Sequence, residues 1–198
     1  LQPPFYGKLM DDAVNFGAIG VVIGHELTHG FDDQGRKYDA EGNLRDWWTA
    51  EDAKEFEQRV DCTANEYSGF VSVKDDKGEV KLNGKLTLSE NTADNGGLKL
   101  AYMALNSIID DTPVKPIDGY TAAQRYFLAY GQIWCQNVTD QEARKRVLTD
   151  SHSPGRPPAL PTYIHRLDDT VLLGRRKPPG QRSRPFIFRL VFLPKSAE

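Results

Sequence analysis

Within the run IGHELTHGFDDQG, Ile23 to Gly35, two histidines stand four residues apart with a glutamate directly after the first. On a helix, four residues advance the chain by about 400° and roughly 6 Å, so the rings of His25 and His29 leave one face, one turn apart. A single metal ion fits between them. Glu26 lies about 100° round the helix from His25, displaced from ligation but within reach of a water on the metal. A zinc hydrolase divides its labour in this way. A histidine on an apolar helix face is equally at home as a hydrogen-bonded core residue, and it is the pairing with a second histidine and a glutamate that favours the metal.

Catalytic zinc takes three protein ligands and keeps a fourth position open, so a third ligand is expected elsewhere in the chain. In KLTLSENTADNGGLKLAYMAL, Glu90 and Asp94 stand at i and i+4 on one face of an expected second helix, Leu88 to Ile109. Glu90 can ligate while Asp94 orients an imidazole by accepting its free ring N–H. A solvated acidic face is the competing reading, and Asn91, Asp94 and Asn95 fit it. Leu98, Ala101, Tyr102 and Leu105 continue the helix as an apolar stripe, which turns one side of it inward.

GHELTHGFDDQG followed by NGKLTLSENTADNGGL resembles the neprilysin family of zinc metallopeptidases, members of the gluzincin group. The likeness runs from Leu1 to about Arg156 and covers the C-terminal part of the family's catalytic domain. It implies a mainly α fold with a small β hairpin, zincin-like and similar to thermolysin. It also implies one Zn2+ per chain held by His25, His29 and Glu90, Glu26 as catalytic base, and Asp94 as support for a ligand. Ser89 departs from the glycine usual before the glutamate. A third stretch, LTDSHSPGR, resembles the family's D-x-H-S-P, which assigns His152 to the oxyanion of the tetrahedral intermediate and Asp150 to orienting it. The chemistry agrees, because attack on an amide builds negative charge on the former carbonyl oxygen. The activity implied is metalloendopeptidase cleavage of short peptides. Two rivals are a zinc-binding but catalytically impaired fragment and a metal-free helical scaffold.

The chain has 198 residues, enough for one sizeable core. It opens within what the family resemblance makes the interior of a catalytic region, so it is expected to be truncated at its N-terminus. The segment that holds the substrate backbone and the large N-terminal lobe would then be missing partners. Composition changes at Arg156: residues 156–198 carry net charge +6 against −9 before them, with seven of the twelve prolines. Pro158 stands where the resemblance calls for an arginine. Residues 1–156 are therefore read as the catalytic region and 157–198 as an atypical Pro/Arg-rich tail, expected to be disordered. A shifted reading frame or a basic arm would each give such a tail.

Cys62 and Cys135 suit one disulfide or two buried thiols. The resemblance implies instead that each has its partner outside the matched region, leaving two free thiols. Helices are expected over Asn15 to Gly30, with Gly17, Gly20 and Gly24 as a small-residue face, and from Thr49 to about Tyr67, with Phe56, Val60, Ala64 and Tyr67 inward. FVSVKDDKGEVKL reads as a hairpin turning at Asp76 to Gly78, and Thr121 with Gln124 and Thr139 with Glu142 start two more helices. Asp32 to Asn43 fails the spacing of a calcium loop and reads as a polar turn region. No apolar run reaches membrane-spanning length, no signal peptide is visible, and the negative body argues against nucleic acid. Asn137-Val138-Thr139 fits a glycosylation acceptor. By resemblance the protein is extracytoplasmic, acting on peptides.

Overall fold

A computed structural model describes residues 1–109 and 115–155, and the expectations placed on residues 157–198 lie outside them. The first helical run starts earlier than its apolar pattern suggests. Asp11 accepts a hydrogen bond from the backbone N–H of Ala13 and so caps α1, Asp12–Asn15. The chain then passes through a π turn, Phe16–Gly20, into α2, Val21–Thr28, and tightens into a 3-10 turn over His29–Phe31. One helix from Asn15 to Gly30 thus becomes three helical geometries in sequence, and π turns of this kind are frequent beside functional sites.

Helix α3 spans Ala50–Ser68, with the Thr49 side chain accepting from the Asp52 N–H, and it buries the expected Phe56, Val60, Ala64 and Tyr67. Strands β1, Val71–Asp75, and β2, Gly78–Lys81, pair antiparallel, with Val73 opposite Val80 and Asp75 opposite Gly78. The turn needs positive φ at Gly78, +97°, where a Cβ would be strained. Helix α4 is Leu88–Ile109, as the periodicity predicts. Helix α5, Ala122–Ile133, opens with a full Thr121/Gln124 capping box, and α6, Asp140–Thr149, with Thr139 accepting from the Glu142 N–H.

The two site-bearing helices α2 and α4 pack almost backbone to backbone. A Cβ on Gly24 would lie 2.9 Å from the Gly97 Cα, and one on Gly97 would lie 2.6 Å from both the His25 nitrogen and the Val21 oxygen. Gly17 makes a third close approach, to the Tyr126 carbonyl at 2.1 Å from its would-be Cβ. The small-residue face is therefore what brings the histidines within reach of α4. Val21, Leu98, Ala101, Leu105, Tyr126 and Phe127 close the main core beneath this contact. Gly97→Ala is expected to cost about 1–3 kcal/mol in urea unfolding, the usual range for overpacking. Unchanged stability would contradict the close approach.

The buried Arg125 ties α5 to the start of α1 through an ion pair with the half-buried Asp11 at 3.0 Å. Arg144 on α6 pairs with Asp75, fixing the hairpin against that helix. No helix among the described residues is long and apolar enough to cross a membrane. Cys62 and Cys135 are both exposed free thiols.

Candidate metal centre

Helix α2 and the 3-10 turn that follows it set the imidazoles of His25 and His29 edge to face, their centroids 4.6 Å apart. The Nε2 atoms of His25 and His29 approach to 2.9 Å. Glu90, in the first turn of α4, places Oε2 at 3.3 Å from His25 Nε2 and 3.6 Å from His29 Nε2. Ligand bonds of about 2.0–2.1 Å in a tetrahedron put ligand atoms roughly 3.3 Å apart, and the observed triangle brackets that value.

Each ring is held from behind. His25 Nδ1 lies 2.9 Å from Asp94 Oδ1, and His29 Nδ1 lies 2.7 Å from Asp32 Oδ2. With the Nδ1 protons donated to carboxylates, both Nε2 lone pairs face the same point as a carboxylate oxygen. Glu90 Oε2 is buried and has no hydrogen-bond partner. Three acceptors around one point repel one another unless a cation sits there, so the residues fit a zinc ion. Burial opposes a charge on His25, but the Asp94 hydrogen bond and the charges of Asp94, Glu90 and Glu26 outweigh it and raise the imidazole above its usual range.

Asp32 belongs to this centre although the polar-turn reading of Asp32 to Asn43 did not single it out. It is 2% exposed, and Oδ1 accepts from the backbone N–H groups of Gln34 at 2.8 Å and Gly35 at 2.7 Å. Burial works against its charge, yet the His29 ring, the Ser89 hydroxyl and these two N–H groups together hold its carboxyl below the ordinary range. Ser89, the departure from the family pattern, thus donates to the carboxylate that lies behind the His29 ring. The available signal was the position of Asp32 three residues after His29, where the helix ends and an acid can fold back on the ring.

The solvated-face reading of α4 needs correction at Asn91, which is 1% exposed because it packs beneath the loop that follows α6. Tyr130 of α5 was also not anticipated. It is buried and hydrogen-bonds Asp94, and burial first, then the Asp94 charge, push its phenol well above the usual range.

Asp150 and His152 lie in the loop after α6. Asp150 Oδ1 accepts from the His152 backbone N–H at 2.9 Å and lies 3.0 Å from its Nδ1. Burial works against the Asp150 charge, but the two His152 contacts prevail and keep this carboxyl low. His152 Nε2 reaches to 3.2 Å from Glu90 Oε2, so a residue 62 positions further along the chain from Glu90 meets the donor set at its edge. Glu26 is exposed on the turn of α2 that carries His25. Beside His152 opens a cleft of about 320 Å³, bounded by Ile133, Trp134, Val147 and Arg146.

A paired-histidine helix facing a glutamate-bearing helix across a glycine contact defines a zincin-type catalytic fold. A family model for Peptidase family M13 matches residues 1–158, and the chain belongs to that family. It is similar to endothelin-converting enzyme 1 of Mus musculus, 46% identical over 159 residues that make up 79% of this chain and 20% of that protein. Neprilysin-2 of Caenorhabditis elegans is 47% identical over 158 residues, 78% of this chain and 21% of that one. The chain thus spans about a fifth of the length of these relatives. Among solved structures, the zinc metalloprotease Zmp1 of Mycobacterium tuberculosis in complex with an inhibitor superposes with a TM-score of 0.81 at 37% identity, covering 92% of this chain and 29% of that one.

Proposed function

We propose that this chain carries the zinc centre of a metalloendopeptidase that hydrolyses peptide bonds in short peptides. The observation that supports it best is the convergence of His25, His29 and Glu90 on one point, with Glu90 Oε2 buried and making no hydrogen bond. His25, His29 and Glu90 would hold the ion, with Asp94 and Asp32 fixing the rings. When bound, zinc supplies Lewis acidity, lowering the pKa of water and polarising a carbonyl.

Every other part falls to side chains. Glu26, exposed beside the donors, accepts the proton of the attacking water and later passes it to the leaving amine. His152 donates from Nε2 to the developing oxyanion, and Asp150 holds the opposite ring nitrogen so that Nε2 faces the site. The cleft beside His152 offers apolar and cationic walls to a peptide side chain. Because the chain spans a fifth of its relatives' length, an alternative is a zinc-binding stretch whose hydrolysis is impaired on its own. An extracytoplasmic setting also belongs to the proposal, and Asn137 of the glycosylation pattern has the exposure a glycan needs.

Two measurements test this reading. His152→Ala is expected to lower kcat by about 10²–10³-fold with little change in KM, since its donor acts mainly on the transition state. A change confined to KM would remove it from that role. The second concerns pH. In the metal-free protein His25 has a raised pKa, so its pairing with Asp94 stabilises the fold below pH 6.5 and is lost as pH rises through the folded value. Zinc requires the unprotonated ring, so zinc affinity is expected to fall about tenfold per pH unit once pH drops below that folded value. Chelator competition between pH 5 and pH 8 reads the slope, and a flat profile would contradict His25 as ligand.

A further inference from the structure

We propose that Asn91 and Ser153 form a latch that sets the place of His152 relative to the metal donors. The proposal rests on the zinc-peptidase reading for its catalytic meaning, and its geometry stands on the fold alone. Ser153 Oγ donates to Asn91 Oδ1 at 2.7 Å, joining the loop after α6 to α4. Asn91 is fixed before the loop arrives: its Nδ2 donates to Thr87 Oγ1 at 2.9 Å, and the Thr87 hydroxyl donates to the Asn83 carbonyl at 3.3 Å. With the amide nitrogen committed to Thr87, the residue just before α4, its oxygen is left facing the loop.

The contacts of Asp150 differ in kind. They bind Asp150 to His152 within the same loop, and the Asp150 N–H closes α6 on the Arg146 carbonyl at 2.8 Å. They shape the turn without tying it to the donor set. Asn91 is the residue after Glu90, so one step of α4 holds the metal-facing carboxylate and the next holds the neighbour of His152. Gly155 presses the far end of the loop onto the residue that caps the end of α5, where a Cβ would meet the Trp134 carbonyl at 2.4 Å. The Asn91 side chain is buried and lies outside the donor set, which makes it and Ser153 positioning residues. Misplacing a catalytic group by about 1 Å can cost on the order of 10²-fold in rate, so one hydrogen bond here governs more catalysis than stability.

The test is Ser153→Ala, with Ser153→Thr as the variant that keeps the hydroxyl. In the zinc-free full chain, side-chain nitrogen NMR of the four histidines is expected to show the His152 ring shifted or broadened in Ser153→Ala, His25 and His29 unmoved, and the native pattern restored in Ser153→Thr. With zinc bound, kcat is expected to fall about tenfold in Ser153→Ala at unchanged KM and zinc content, and by less than about twofold when His152 is already alanine. An unaltered His152 signal, or an equal rate loss with and without His152, would overturn the latch. If instead the zinc-peptidase reading fails, the unmodified chain takes up no zinc or cleaves no peptide, while the zinc-free spectra still decide the latch.

Discussion

Glu26→Gln is expected to remove peptide hydrolysis, by about 10³-fold, while zinc occupancy stays that of the unmodified protein. The amide matches the carboxylate in size but cannot accept the water's proton. Glu26 stands outside the His25, His29 and Glu90 donor set, so the change leaves the metal's bonds alone. Its charge does help to raise the His25 pKa, and the neutral amide should therefore favour the unprotonated ring slightly. The same charge also attracts a dication, so the two effects oppose and any net change in zinc affinity should be small. Turnover is followed with a fluorogenic peptide and zinc by elemental analysis. Comparable turnover in the variant and the unmodified enzyme would refute the general-base role.

Removal of a ligand should have the opposite signature. His25→Ala, His29→Ala and Glu90→Ala are each expected to weaken zinc binding by more than the 10–100-fold that loss of an outer partner costs, and Asp32→Asn to fall within that range. Glu90 separates metal binding from structure. Its buried Oε2 makes no hydrogen bond and faces the Nε2 atoms of His25, His29 and His152, so at a pH where His25 is unprotonated Glu90→Ala removes a group that is costly to bury without a cation. Urea unfolding of the zinc-free variant is therefore expected to show equal or greater stability, even as its zinc is lost. Reduced zinc-free stability with full zinc retention would mean that Glu90 serves the fold and not the metal.

The elements that could be read from sequence are those whose cause is local. Helix α4 keeps its expected bounds because the Leu98, Ala101 and Leu105 stripe runs along one face, and Thr121 with Gln124 closes a capping box within four residues. The inward set of α3 follows from the same periodicity. Local pattern could not show the π turn at Phe16–Gly20, which occurs where Gly17 must fit against the Tyr126 carbonyl, far along the chain. Nor could it show that Asn91 is buried, since what covers it is a loop 62 residues away.

The site divides in the same way. His25, Glu26 and His29 declare themselves by spacing, and Glu90 with Asp94 by helical face. His152 in a Ser/Pro/Gly loop carries no such signal and is assigned by resemblance alone; the fold brings its Nε2 to 3.2 Å from Glu90. Asp32 was missed because a buried acid in a polar stretch looks like its solvated neighbours until the partners are known. His29, Ser89 and two backbone N–H groups are those partners.

The central claim is that three side chains, from α2, the turn that continues it and α4, make one zinc centre. Equilibrium dialysis of the folded chain against buffered zinc, followed by elemental analysis, tests it most directly. The account predicts one zinc per chain, and none at the same free zinc in a variant carrying His25→Ala, His29→Ala and Glu90→Ala together. Folded protein that takes up no zinc, or a triple variant that retains it, would contradict the account.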